Sequence, residues 1–185
     1  MFKQLGVKLF ADGADMKSIL EMYKNPAIAG FTTNPTLMKV AGVKDYKAFA
    51  KEILAVIKDR PISFEVFSDD LNKMEKQALE IASWGENVNV KIPITNTKGE
   101  FCDRLVKKLS GSGVKVNVTA IMTLEQVERV LPGLSNGAGG YISVFAGRIA
   151  DAGIDPLPIM KNVVKLLERS STVELIWASP RELYN

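Results

Sequence analysis

The stretch NVNVKIPIT, residues 87–95, decides how this chain is read. Side chains alternate along a β-strand, so Val88, Val90, Ile92 and Ile94 share one face. Lys91 falls on the opposite face, in the middle of the run. A lysine inside a strand of this kind costs desolvation energy unless something pairs with it or uses it.

Six other runs have strand character. They are VKLFAD (7–12), GFTTN (30–34), ISFEVF (62–67), KVNVTAIM (115–122), YISVFAG (141–147) and ELIWAS (174–179). Segments with helical apolar spacing lie between them. In DLNKMEKQALEIASW (70–84), Asp70 is an N-cap and Leu71, Met74, Ala78 and Ile81 face inward. In TLEQVERVL (123–131), Thr123 and Gln126 form a capping box. In DPLPIMKNVVKLLE (155–168), Asp155 is the N-cap and Pro156 opens the helix. Linkers are short and the composition does not shift, so residues 1–185 read as one domain. Strands alternating with helices predict a parallel sheet covered by helices.

The two strand faces select the architecture. One is apolar: Val7, Leu9 and Ala11; Ile62, Phe64 and Val66; Val116 and Val118; Ile142 and Val144. The other turns polar towards the strand C-termini, with Asp12, Asn34, Glu65, Lys91, Asn117, Thr119, Ser143 and Ser179. An open doubly wound sheet buries both faces under helices and demands apolar residues on both. A barrel lays only its outer face against helices, and its inner face carries the active site at the C-terminal mouth. The pattern therefore predicts a (β/α)8 TIM-type barrel. Only seven strands are visible, and such barrels need about 200 residues or more. The reading thus expects an eighth strand and C-terminal helices to be missing, by truncation or because something else closes the barrel.

Composition removes several functions. Among 185 residues there is no histidine, which excludes Ser-His-Asp and Cys-His nucleophiles and any histidine-ligated metal. Acid–base work falls to carboxylates, lysines and tyrosines. The formal net charge is +3, without a basic run interleaved with aromatics, so no nucleic-acid partner is expected. The opening MFKQLGVKLFADGAD lacks an apolar signal core, and no apolar run is long enough for a bilayer, so no membrane association is expected. A single Cys102 fits a reducing cytoplasm.

In a barrel mouth Lys91 faces Asp12, Asn34, Glu65 and Asn117. A desolvated lysine can attack a carbonyl to form a Schiff base, with Asp12 or Glu65 moving protons. The iminium is its own electron sink, so no cofactor or metal is expected. The plainer alternative is an ion pair of Lys91 with Glu65 that only fixes the interior. Arg148 follows the sixth strand and Arg181 the seventh, close to Ser179. Late barrel loops make phosphate sites, and arginine forks suit phosphate, so an anionic substrate is favoured. The alternative for each arginine is a surface pair with Asp151 or Glu182.

FADGAD, GFTTNPTL, SFEVF, VNVKIPIT, VNVTAIMT, YISVFAGRI and WASPREL, taken in this order on successive strands, resemble the small transaldolases. That group includes fructose-6-phosphate aldolase. The resemblance covers Val7 to Asn185. It implies that Lys91 is the Schiff-base lysine, Asp12 the acid–base residue and Glu65 the residue orienting the catalytic water, with Thr119 beside the lysine. It implies that Asn34 and Asn117 hold substrate hydroxyls. Ser143 and Phe145 would line the pocket, and Arg148, Ser179 and Arg181 would grip a phosphate. The aldolases carry glutamine at the position of Glu65 and tyrosine at that of Phe145, so both positions resemble the transaldolase branch. The implied activity moves a dihydroxyacetone unit between sugar phosphates of the pentose phosphate pathway. A lyase or a non-catalytic sugar-phosphate-binding fragment are the competing readings. A homo-oligomer is implied for the full-length form.

Overall fold

The computed structural model describes residues 6–180. Its sheet has seven strands in the order β1-β2-β3-β4-β5-β6-β7, and every neighbouring pair is parallel. The strands are β1 (Leu9–Asp12), β2 (Ile28–Thr32), β3 (Ile62–Glu65), β4 (Val88–Pro93), β5 (Val116–Ile121), β6 (Gly140–Val144) and β7 (Val173–Trp177). The helices are α1 (Met16–Tyr23), α2 (Pro35–Val40), α3 (Tyr46–Val56), α4 (Leu71–Ala82), α5 (Asp103–Gly111), α6 (Leu124–Ser135), α7 (Ala146–Asp151) and α8 (Leu157–Leu167). Strand order follows chain order throughout, each crossover returns the chain to the next strand through one or two helices, and the sheet curls. The fold is a partial (β/α)8 barrel, as the faces predict. Among the described residues no helix is long and apolar enough to cross a membrane.

The core lies outside the sheet, under the helices. Phe31, Ile62, Phe64, Val90, Ile92, Val116, Val118, Ile142 and Val144 meet Ile53, Met74, Ala78, Val106, Leu109, Val127, Leu134 and Val163, all buried. Burying each large aliphatic or aromatic side chain is worth about 1.5–3 kcal/mol, so this layer supplies the main driving force. Helix starts match their local chemistry. The Asp70 carboxylate accepts from Lys73 N at 2.9 Å. The Thr123–Gln126 capping box is formed in both directions.

Several boundaries move. Helix α8 starts one residue later than expected, with Pro156 as N-cap, although Asp155 Oδ1 still accepts from Leu157 N at 2.9 Å. Val7 is not in the core; it precedes β1 and is 61% exposed. Strand β3 stops at Glu65 because the next amides leave the ladder: Phe67 N and Ser68 N both donate to Gln77 Oε1 at 2.9 Å. Strand β6 stops at Val144 because Phe145 (φ −79°, ψ 62°) turns the chain into α7. Asn34 lies beyond β2 as the N-cap of α2, and Arg148 stands within α7 rather than in an open loop.

Inside the curl, at the N-terminal end, Phe10 packs edge-on against Tyr141 with ring centroids 5.5 Å apart. The Phe10 ring fills the space above Gly30, where a Cβ would strike it. Lys8 Nζ pairs with Glu174 Oε2 of β7 at 2.6 Å, linking the region before β1 to the other edge of the sheet. Gly140 opens β6 at φ +136°, and a Cβ there would drive into the Val116 backbone oxygen of the neighbouring strand. Both the dihedral and the contact exclude a side chain. Gly140→Ala is expected to destabilise the fold by at least about 2 kcal/mol. The urea midpoint checks this, and an unchanged midpoint would show that β5 and β6 need no glycine at their junction.

Candidate active site

Register explains why the polar residues meet. In the parallel ladders Glu65 lies opposite Lys91, and Lys91 lies opposite Asn117. Paired residues project from the same face, so the three side chains form one row across β3, β4 and β5 on the inside of the curl. On the other side, Asp12 of β1 lies opposite Thr32 of β2.

Lys91 is 7% exposed, at the centre of the row. Its Nζ is 3.1 Å from Glu65 Oε2 and donates to the Thr33 carbonyl oxygen at 3.0 Å. Thr33 is itself buried, and its hydroxyl donates to the Ser63 carbonyl at 2.9 Å. The ammonium thus has one ionic and one neutral acceptor, which offsets part of the cost of taking it out of water. Burial pushes the Glu65 carboxyl above its ordinary range. Lys91 pulls it back without cancelling the rise, and the charge of Asp12 adds to it. Asp12 is more open to solvent, and its Oδ1 accepts from Thr32 Oγ1 at 2.7 Å.

Asn117 is fully buried and both ends of its amide are used. Its Nδ2 donates to Ser63 Oγ at 3.0 Å, and its Oδ1 accepts from Ser143 Oγ at 2.7 Å. One hydrogen-bonded line therefore runs from β3 through β5 to β6. Thr119 is 2% exposed, and its Oγ1 has no hydrogen-bond partner among the described residues. An unpaired buried hydroxyl costs about 1–3 kcal/mol, so this one is free to take a partner.

Asn34 caps α2, its Oδ1 accepting from Leu37 N at 2.9 Å, so only its amide nitrogen can donate to a ligand. Phe145 is half-buried where β6 becomes α7, and Arg148 is exposed on α7. Ser179 is half-buried just beyond β7, in the left-handed region at φ 58°. Arg181 lies outside the described residues. The row thus brings together Lys91, Glu65 and Asn117, with Thr119 and Ser143 on the same face. Asn34, Phe145, Arg148 and Ser179 follow at the C-terminal strand ends, where barrel sites form. Among the described residues no cluster of three or more cysteine or acidic side chains suits a metal ion.

Sequence reasoning passed over Thr32, Thr33 and Ser63. Alternation from Glu65 puts Ser63 on the inner face, and the threonine pair stands in the GFTTN run, so two of these signals were available. The Thr33 contribution is a backbone carbonyl, which no residue letter announces.

The family model described as Transaldolase/Fructose-6-phosphate aldolase matches residues 9–185. A probable transaldolase of Dehalococcoides mccartyi is 36% identical over 176 residues, covering 95% of this chain and 78% of the relative. The probable transaldolase 2 of Listeria monocytogenes is 36% identical over 180 residues, covering 96% of this chain and 77% of that one. In structure, a dihydrodipicolinate synthase from Rhodopseudomonas palustris superposes with a TM-score of 0.62 at 12% identity, over 92% of this chain and 63% of that one. At that identity the likeness concerns the barrel alone.

The Glu65 shift has a sign that can be tested. A carboxyl raised by burial stabilises the fold most when protonated, and that contribution is lost as pH rises through its folded value. The stability of wild type relative to Glu65→Gln should therefore decline from about pH 4 towards pH 7. Denaturant midpoints of the two proteins at both pH values check it; a constant difference would mean that Glu65 titrates like an exposed carboxylate. Seven parallel strands, the matched model and the relatives agree: this chain belongs to the transaldolase/fructose-6-phosphate aldolase family.

Proposed function

We propose that the protein is a Schiff-base transaldolase that transfers a dihydroxyacetone unit from a ketose phosphate to an aldose phosphate. The observation that carries the reading is the placement of Lys91: buried, held between Glu65 and the Thr33 carbonyl, on the inner face of a family barrel. Donors such as fructose 6-phosphate or sedoheptulose 7-phosphate and acceptors such as glyceraldehyde 3-phosphate or erythrose 4-phosphate fit it.

In this reading the neutral Lys91 amine adds to the ketose carbonyl carbon, and the carbinolamine loses water to give an iminium. Glu65, whose carboxylate is 3.1 Å from Nζ, then orients the water and relays protons, and that proximity supports the role. Asp12 takes the proton from the C4 hydroxyl as the C3–C4 bond breaks. The aldose phosphate leaves, and the electron pair remains as an enamine on Lys91. That carbon then attacks the acceptor aldehyde, Asp12 returns the proton, and water releases the new ketose phosphate. Asn34 and Asn117 meet sugar hydroxyls. Ser143 and Phe145 line the pocket, and Arg148, Ser179 and Arg181 hold the phosphate.

Lys91→Met is expected to remove all borohydride-reducible adduct formed with fructose 6-phosphate. Mass mapping of the trapped wild type should place the adduct on Lys91, and an adduct on another lysine would sink the assignment. Running the wild type with and without an aldose phosphate separates transfer from release of free dihydroxyacetone, the lyase outcome.

Arg148→Ala should weaken fructose 6-phosphate by roughly tenfold or more while leaving free dihydroxyacetone almost unaffected, because a charge-assisted contact exists only when the phosphate does. Equal loss for both ligands, measured by steady-state kinetics, would remove Arg148 from the phosphate site.

A further inference from the structure

We propose that Tyr46, at the first turn of α3, is a positioning residue for the Lys91–Glu65 pair, acting through the Glu65 backbone. The proposal rests on the reading of Lys91 as the nucleophile, but its geometry is independent of that reading.

The β2–β3 ladder has a gap at its C-terminal end. On the β2–β3 ladder, Phe31 N donates to the Pro61 carbonyl at 2.9 Å and Thr33 N to the Ser63 carbonyl at 3.0 Å. The next acceptor in this series is the Glu65 carbonyl. The chain is still extended at Asn34 (φ −153°, ψ 159°), so the next amide on that side belongs to residue 35. Residue 35 is proline and has no N–H to give. The ladder therefore fails at the residue whose side chain faces Lys91. The Tyr46 hydroxyl fills the gap, donating to the Glu65 carbonyl oxygen at 3.0 Å.

Its surroundings suit a fixed donor. The Tyr46 ring is met edge-on by Phe64, Phe67 and Trp84, with centroids 6.0, 4.8 and 5.2 Å away. Burial pushes the phenol far above its ordinary value, so it keeps its proton at any working pH. The hydroxyl also lies beside the Thr33 side chain. Thr33 supplies the other acceptor of Lys91. Tyr46 thus bonds to one of the two residues that hold the ammonium and lies near the other. Glu65 is fastened at three points: its carboxylate to Lys91 Nζ, its carbonyl to Tyr46, and the following amide, Val66 N, to the Lys91 carbonyl at 3.2 Å.

Tyr46→Phe keeps the ring and deletes the donor. The Glu65 carbonyl then needs water, which must enter beside the carboxylate. Burial is the largest cause of the raised Glu65 value, and the other charges facing that group are Lys91 from β4 and Asp12 from β1. Trp84→Phe is the control. It trims the same aromatic cluster but removes no hydrogen bond, since Trp84 Nε1 has no partner among the described residues.

Two readouts are taken on wild type and both variants: the Glu65 carboxyl titration by NMR, assigned with Glu65→Gln, and the rate of borohydride trapping with fructose 6-phosphate. In Tyr46→Phe the Glu65 midpoint should fall by at least about half a pH unit. Trapping should slow on the order of ten- to hundredfold, as expected when a reacting group is misplaced. Trp84→Phe should lower the melting temperature and leave the Glu65 midpoint in place. An unmoved midpoint in Tyr46→Phe, or an equal shift in Trp84→Phe, overturns the positioning role. If wild type gives no adduct on Lys91, the Schiff-base reading fails while the titration alone still decides the role of Tyr46.

Discussion

A single buried ammonium sets the terms for the inner face of this barrel. Lys91 lies in a strand whose outer side, Val88, Val90 and Ile92, is packed under helices. The strand cannot rotate to release the lysine without exposing that layer, so the charge must be accommodated where it is. Glu65 at 3.1 Å and the Thr33 carbonyl at 3.0 Å accommodate it. Such a pair is a poor source of stability, because desolvating two ions offsets much of their attraction. The raised Glu65 carboxyl follows from that cost: burial outweighs the neighbouring cation. The stabilisation lies in the outer apolar layer, and the inner row draws on it. Stability and chemistry are thereby assigned to opposite faces of the same strands.

The partners of Lys91 impose order on their own neighbours. Glu65 is placed by the β3–β4 register, Thr33 by its two bonds to the Ser63 carbonyl, and Ser63 by the amide of Asn117. Asn117 in turn is fixed by Ser143. Each buried polar atom in this line is satisfied by the next, so substituting one leaves another unpaired at about 1–3 kcal/mol. Thr119 Oγ1 is the exception among these groups. The network is closed everywhere else and open at this one hydroxyl of the inner face.

Alternation made much of this legible in the sequence. Period two put Glu65, Lys91, Asn117 and Ser143 on one face, and apolar residues on the other selected a barrel over an open sheet. It failed where the backbone departs from a regular strand. In β5, Val118 lies opposite Ile142 but Ile121 lies opposite Val144, so three steps on one strand match two on the other. Ala120 absorbs the extra residue at φ 60°, a conformation that costs a non-glycine residue about 1 kcal/mol or more. Plain alternation would turn Ile121 into the mouth with Asn117 and Thr119. The bulge returns it to the core, where it is 0% exposed. Contributions from backbone carbonyls and from distant helices were equally illegible. The Thr33 acceptor is main chain, and Tyr46 approaches from α3 across a contact that no local pattern encodes.

The bulge and Pro35 are two forms of one compromise. A regular parallel ladder satisfies every backbone group but fixes every side chain to a two-residue rhythm. A site needs groups at the strand ends to be aimed more freely, and aiming them requires breaking the ladder. In β5 the break costs a left-handed alanine, and it returns Ile121 to the core just after Thr119 on the inner face. At β2 the break is a proline that removes one donor and starts α2, which places Asn34 at the helix cap. The carbonyl thereby deprived belongs to Glu65, and a phenol from another helix replaces the lost amide. Both interruptions fall at the level of Lys91 or within a few residues beyond it, while deeper in the barrel β3 and β4 remain in unbroken register from Ile62 opposite Val88. The layers beneath are not free of irregularity, since β1 shifts register against β2 between Leu9 and Phe10, but the β3–β4 ladder that carries Glu65 and Lys91 does not shift, and the two side chains stay paired.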